Sequence, residues 1–416
     1  MKYKPQLRDI QKARQRINDV IEHTPLVKNS ALSEQYSANI LLKREDLQAV
    51  RSYKIRGAYN KIASLTKTQL ANGVVCASAG NHAQGVAFAC STLNIRGTIF
   101  MPTPTPNQKM KQVKMFGKTN IEIILAGDTF DDAFAEAEKY CEAHKSTFIH
   151  PFNDEKVIEG QATVGLDILN DSNVPIDYIF VPIGGGGLAA GLGTVFKNIS
   201  PETKIIGVEP TGAASMKAAM DAKKLVTLKD IDTFADGVAV RRSGELTFEI
   251  CKKVLNDIVL VPEGKICSTI LQLYNESAIV VEPAGAISIS ALEFYKKNIR
   301  GKNVVCVVSG SNNDITRMEE IKERSLLYEG LKHYFIIRFP QRAGALREFL
   351  ECVLGPNDDI AHFEYKKKHL REKGPAVIGI ELAQREDFDG LIARMKKHKI
   401  IYEYINGKED YFQFLI

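Results

Sequence analysis

Apolar residues recur along this chain with two periods, and the alternation between them outlines the fold. Residues 6–21 put Ile10, Ala13, Ile17, Val20 and Ile21 on one side, which predicts an amphipathic helix ended by His23-Thr24-Pro25. Residues 39–43 read as a strand. A helix is predicted to open at Ser52, a good N-cap, with Ile55, Ala58, Tyr59 and Ile62 at helical spacing. Short apolar runs then alternate with helical stretches: strand 74–78, a helix through Val86 to Ala89, strand 97–101, a helix near 107–116, strand 121–125, a helix near 130–143 and strand 147–149. A second series follows with helix 158–169, strand 178–183, helix 188–196, strand 204–208, a helix near 267–279 and strand 303–308. Such alternation predicts α/β architecture, a parallel sheet with covered faces.

The pattern changes after residue 326. Strand 332–339, helix 341–353, strands 359–367 and 375–382, helix 386–398 and strand 400–405 follow the ferredoxin-like order βαββαβ. Leu346, Phe349, Leu350 and Val353 keep one helical face, and so do Phe388, Leu391, Ile392 and Met395. The basic run 366–371 falls at a strand-to-strand loop and reads as a solvated hairpin. The predicted division is a first domain over 1–325 and a second over 326–416.

Composition narrows the function classes. The 416 residues carry a net charge of +5. This mild, scattered charge argues against a nucleic-acid groove. No apolar run approaches membrane-spanning length, and the polar start lacks a signal peptide. The seven cysteines are widely spaced with no CxxC, so buried thiols in a reducing, cytoplasmic setting are expected and metal is not.

Three irregular turns each follow a buried strand, at the edge where parallel α/β sheets hold ligands. Gly184, Gly185, Gly186 and Gly187 between a strand and a helix leave backbone N–H groups bare, a cradle for phosphate. The same stretch satisfies G-x-G-x-x-A through Gly185, Gly187 and Ala190, with Glu209 about where a ribose-binding acid would sit, so a nicotinamide-dependent oxidoreductase stays open. Glu209, near Ala213 and Ser215, also reads as a capping or solvated carboxylate, or as help for a cation. Ser78, Ala79, Gly80 and Asn81 form a turn at a helix start, suited to a carboxylate or to simple capping; His82 reads as structural. Ser309-Gly310-Ser311-Asn312-Asn313 is a polar turn of the same placement. Lys54, in a first helical turn at the positive end of the macrodipole, has reason to lose its proton and act as a nucleophile.

Taken together, Ser52-Tyr53-Lys54-Ile55-Arg56-Gly57-Ala58, Ser78-Ala79-Gly80-Asn81-His82-Ala83-Gln84-Gly85, the glycine run with Leu188, Glu282-Pro283-Ala284-Gly285-Ala286 and Ser309-Gly310 resemble the serine/threonine dehydratase family of fold-type II pyridoxal-phosphate enzymes. Lys43-Arg44-Glu45-Asp46-Leu47-Gln48 and Ala235-Asp236-Gly237-Val238-Ala239 are lesser matches. The tail, through Phe339-Pro340-Gln341-Arg342-Ala343-Gly344-Ala345-Leu346, is similar to a single ACT-like regulatory domain. The resemblance implies a two-lobed, tryptophan-synthase-β-like catalytic domain over 1–325, its smaller lobe (roughly 55–150) inserted in the larger, a regulatory domain over 326–416, and pyridoxal 5'-phosphate as cofactor. It implies that Lys54 holds the cofactor as a Schiff base and then acts as general base on Cα. Tyr53, where the family usually has Phe, would lie beside the pyridine ring, and Asn81 would bond its O3′ oxygen. Gly184, Gly185, Gly186, Gly187 and Leu188 would hold the phosphate, Ser309 would face the ring nitrogen, and Ser78, Ala79, Gly80 and Asn81 would hold the substrate carboxylate.

The implied reaction is β-elimination of L-threonine, with L-serine secondary, to 2-oxobutanoate and ammonia in isoleucine synthesis, under feedback by isoleucine, with valine as a second, opposing effector. A serine or catabolic threonine dehydratase of the same family, and a non-catalytic amino-acid sensor, are the other readings. A dimer or tetramer is expected, with no nucleic-acid or membrane partner. Ala79 stands where the related serine racemase has a serine base, so elimination without efficient racemisation is expected. Gln161-Ala162-Thr163 departs from the family's usual Gln-Gly-Thr and is expected to lie away from the cofactor motifs.

Overall fold

The computed structural model describes residues 3–365 and 373–408, so the basic run 366–371 lies outside the described residues. Two compact units divide the chain at Asp314/Ile315.

The first unit holds two sheets. The chain enters the larger one with β1 (Leu26–Lys28) and β2 (Asn39–Arg44). It leaves to form a small sheet from β3 (Val74–Ala77), β4 (Gly97–Met101), β5 (Ile121–Leu125) and β6 (Thr147–Phe148). It then returns with β7 (Tyr178–Pro182), β8 (Lys204–Pro210), β9 (Asp257–Val261) and β10 (Asn303–Val308). The large sheet runs β1-β2-β10-β7-β8-β9 and the small one β5-β4-β3-β6. Only β1 pairs antiparallel, with β2; the other pairs in both sheets are parallel. β3, β4 and β7 are buried at every position, as strands covered on both faces must be. The edge strands β1 and β9 and the helices Ser215–Ala222 and Glu245–Val254 had not been expected from the sequence.

The order β2-β10-β7 matters for the site. The carboxyl ends of these three neighbours lead directly into residues 45–54, Ser309 and Gly184, while β3 delivers Ser78 from the small sheet. The distant motifs meet because the parallel sheet points its strands the same way.

The second unit is built from β11 (Lys332–Pro340), β12 (Asp359–Tyr365), β13 (Lys373–Glu381) and β14 (Tyr402–Tyr404), in the order β12-β13-β11-β14 and antiparallel throughout. Helices Ala345–Val353 and Asp387–Lys397 complete βαββαβ. Phe349, Val353, Leu391 and Met395 are buried against Phe335, Ile337, Ile378 and Ile380. The first helix starts later than its apolar pattern predicted, because Gly344, at φ +82°, turns the chain into it. The unit boundary falls earlier than the expected 325/326, because helix Met318–Glu329 belongs with the tail: Glu323 pairs with Lys332 and accepts from the Tyr334 hydroxyl at 2.7 Å. Among the described residues, no helix is long and apolar enough to cross a membrane.

Candidate active site

Lys54 is the first residue of helix Lys54–Ala63, with Tyr53 as the N-cap residue. Ser52 does not cap the helix as expected. It forms an isolated β-bridge with Gly310, and its buried Oγ finds no partner among the described residues. The bridge ties the lysine segment to the turn after β10: Tyr53 N–H donates to Ser309 O at 3.2 Å, and Ser311 N–H donates to Arg51 O at 2.9 Å. Behind the lysine, fully buried Arg56 holds Glu45 with two hydrogen bonds of 2.8 and 2.7 Å and pairs with Asp167 at 2.8 Å. The start of the helix is thereby fixed to the end of β2 and to helix Glu155–Asp171.

The Lys54 amine donates to Pro151 O at 3.0 Å. Its pKa is lowered to about 8, chiefly by burial, with the nearby Glu282 carboxylate pulling the other way. Desolvation, more than the helix dipole expected from the sequence, favours the neutral amine. Tyr53, Lys54, Asn81, Gly184 and Ser309 line one cleft together with Pro182, Gly237, Val238, Glu282 and Ala284. Of the expected site residues, Gly185, Gly186, Gly187, Leu188, Ser78, Ala79 and Gly80 are not among those lining the cleft.

The glycine run continues from Gly184 as the rear of the site. A trans peptide sets the N–H of one residue opposite the carbonyl of the residue before it. Gly185 O accepts from the Thr247 hydroxyl at 2.5 Å and Gly186 O from the Cys251 thiol at 3.7 Å. The N–H groups of Gly186 and Gly187 therefore point the opposite way, away from that packing, at the start of helix Gly187–Ile199. The first N–H groups of a helix lack intrahelical partners, so this end attracts an anion. Glycine is required here: Gly186 sits at φ +90°, and a Cβ on Gly185 would lie 2.2 Å from the Phe152 ring. Leu188 places its side chain in the core.

Asn81 opens helix Asn81–Leu93. Its Nδ2 donates to Glu282 Oε1 at 2.6 Å, and its Oδ1 accepts from Asn312 Nδ2 at 2.6 Å. The amide is thus held at both ends and keeps one N–H to offer. Burial raises the Glu282 pKa to about 7, against the opposing hydrogen bond from Asn81. Ser309 donates to Ala284 O at 2.9 Å and brings a hydroxyl, not a charge, to the cleft. Ser78 Oγ accepts from Gly80 N–H at 3.2 Å, which shapes the turn before Asn81. His82 is a buried structural residue whose Nε2 lies 2.8 Å from Ile149 O; burial, then Lys54, lowers its pKa to about 3.

Two expectations change. Glu209, the acid that a dinucleotide reading needs, is buried and caps helix Ser215–Ala222 by accepting from Met216 N–H at 2.8 Å and Lys217 N–H at 2.7 Å. Gln161 does not lie away from the cofactor motifs: a Cβ on Gly187 would come within 2.4 Å of its Oε1. Sequence reasoning gave neither Gln161 nor Glu282 a role. Glu282 had one signal, an acid opening an otherwise apolar Pro-Ala-Gly-Ala stretch.

An amine withdrawn from water, a fixed amide, an anion-binding helix start and a hydroxyl suit an aldehyde, a phenolate oxygen, a phosphate and a ring nitrogen. A family model described as pyridoxal-phosphate dependent enzyme matches residues 17–310. The chain belongs to the pyridoxal-phosphate-dependent enzymes. A second model, the C-terminal regulatory domain of threonine dehydratase, matches residues 323–415. The biosynthetic L-threonine dehydratase IlvA of Halalkalibacterium halodurans is 60% identical over 413 residues, covering 99% of this chain and 100% of that protein. The protein of the same name from Bacillus subtilis is 58% identical over 411 residues, covering 99% and 97%. Among solved structures, threonine deaminase isoform 2 from Solanum lycopersicum superposes with a TM-score of 0.73 at 40% identity, covering 79% of this chain and 91% of that one. Maize serine racemase gives 0.72 at 31%, covering 78% and 99%. The chain is a lyase of fold type II with pyridoxal phosphate as its cofactor and a regulatory tail.

Proposed function

We propose that this enzyme eliminates water from L-threonine and releases 2-oxobutanoate and ammonia, the committed step toward isoleucine. The observation that carries the reading is the convergence of the Lys54 amine, the Asn81 amide, Gly184 and the Ser309 hydroxyl on one cleft. Pyridoxal phosphate, when bound, supplies the electron sink that loosens the Cα proton and the β-hydroxyl. Lys54 anchors it and, once released, takes the Cα proton; an amine with a pKa near 8 suits a general base at neutral pH. The N–H groups at residues 185–188 would hold the phosphate, Asn81 and Tyr53 would place the ring, and the turn 78–81 would take the substrate carboxylate. Ser309, carrying no charge, would offer the ring nitrogen a hydroxyl and no anion to keep it protonated, a setting that would suit prompt loss of the β-leaving group. Ala79 offers no group for a second proton transfer.

The tail senses isoleucine, with valine opposing it. Phe339, Leu346, Phe363 and Tyr365 give apolar walls to a pocket, and Arg342 and Arg347 line it as well. The start of helix Ala345–Val353 adds backbone N–H groups. An apolar side chain with a carboxylate fits such a lining.

The test is keto-acid release from threonine and from serine, each with and without isoleucine, plus chiral analysis of the remaining threonine. The expected result is 2-oxobutanoate formation exceeding pyruvate formation, inhibited by isoleucine, with no D-allothreonine or D-threonine at rates near turnover. Absence of keto acid from either substrate would overturn the reading.

A further inference from the structure

Gln161 lies in helix Glu155–Asp171 and is completely buried. It is wedged between the two helices that begin at the site. Its Cγ would be 3.0 Å from a Cβ on Gly57 of the Lys54 helix, and its Oε1 would be 2.4 Å from one on Gly187. Its Nε2 donates weakly, at 3.5 Å, to Pro151 O, the same carbonyl that accepts from Lys54 Nζ at 3.0 Å. The Gln161 amide and the Lys54 amine therefore meet at one acceptor. Gln161 Oε1 has no hydrogen-bond partner among the described residues. A buried carbonyl oxygen left unpaired forfeits the hydrogen bonds it had in water, so a donor is expected in some state of the enzyme. The bare N–H of the adjoining Gly187 belongs to the anion site proposed at the helix start, which leaves Lys54 as the neighbouring group with N–H bonds to spare. An amine carries two and an ammonium three, and one is used on Pro151 O.

We propose that Gln161 is a positioning residue for Lys54, its Oε1 accepting a hydrogen bond from the Lys54 amine in the state in which that amine takes the substrate's proton. Pro151 O and Gln161 Oε1 then hold the amine from two sides, and both stabilise its charged form. The glycine at 187 serves a second purpose here, making room for this oxygen as well as leaving the helix start bare. The inference rests on the proposed lysine base and deepens it.

Two variants of similar length separate positioning from packing: Gln161→Met, which removes the acceptor, and Gln161→Glu, which makes it an anion. Losing an acceptor weakens the charged amine, so the Lys54 limb of the kcat–pH profile moves to lower pH; a carboxylate moves it higher. Shifts of roughly half to one pH unit, opposite in sign, are expected, with kcat falling in Gln161→Met more than KM changes. The same opposite shifts are expected in the pH dependence of Lys54 labelling by an amine reagent in the full chain freed of cofactor, read by peptide mass spectrometry. Variants that keep the wild-type thermal midpoint but leave both profiles unmoved, or move them in one direction, would overturn the role of Gln161. If one variant fails to fold, a wild-type pH profile in the other overturns it equally. Wild-type protein that forms no keto acid would instead sink the proposed function.

Discussion

The base proposed at Lys54 must be neutral to take a proton and charged once it has done so, and the protein surrounds this amine with burial on one side and nearby oxygens on the other. Burial brings the amine to a pKa of about 8, while Glu282 and the Pro151 carbonyl favour the charged form. Glu282 faces the converse problem. Its pKa is pushed up to about 7 by burial, above its ordinary 4.5. The folded chain therefore holds this proton more tightly than the unfolded chain. The resulting stability is fully present below about pH 4.5 and is lost as pH rises through 7. Glu282→Gln stays neutral at every pH. It is expected to narrow the gap in unfolding free energy between pH 5 and pH 8 by on the order of 2–3 kcal/mol, measured by urea denaturation. An unchanged gap would show that Glu282 is ionised in the folded protein throughout. That Lys54, Asn81 and Ser309 meet at one cleft was legible in the sequence because each sits in a short motif at a strand end. The placement of Glu282 and Gln161 beside them was not, because it rests on contact with residues far away in the chain: Asn81 for one, Gly187 and Pro151 O for the other.

At the scale of elements, the site depends on how the Lys54 helix is anchored. Arg56 is two residues from the lysine, and its partners Glu45 and Asp167 come from two other segments. Thr24 donates to the same Glu45 Oε1 at 2.5 Å, and Arg14 pairs with Asp167. A buried charge that loses its partner costs roughly 3–5 kcal/mol. Arg56→Met is therefore expected to lower unfolding stability by about that much, seen as a lower urea midpoint, and to weaken cofactor retention. A midpoint within experimental error of wild type would contradict the anchoring role. Most elements of the two parallel sheets were legible, since their strands are continuous apolar runs separated by amphipathic helices. The start of the Lys54 helix was misread because Ser52 has the chemistry of a cap but is drawn into a bridge with Gly310. β1 and β9 escaped notice because they are edge strands, half-covered and without a clean period.

At the scale of the molecule, two units carry two kinds of pocket. The first joins polar groups from both of its sheets around an amine; the second lines a larger space with aromatic rings and two arginines. The ferredoxin-like order of the tail was readable from its two amphipathic helices. Where it begins was not, since helix Met318–Glu329 has no strong apolar face of its own and joins the tail through Glu323. Trapping checks whether Lys54 is the lysine that bears the cofactor. The holoenzyme would be reduced with borohydride, digested and mapped by mass spectrometry. The expected result is the reduced cofactor on the peptide carrying Lys54, and none bound covalently in Lys54→Ala. The cofactor on any other lysine, or its covalent retention in Lys54→Ala, would contradict it.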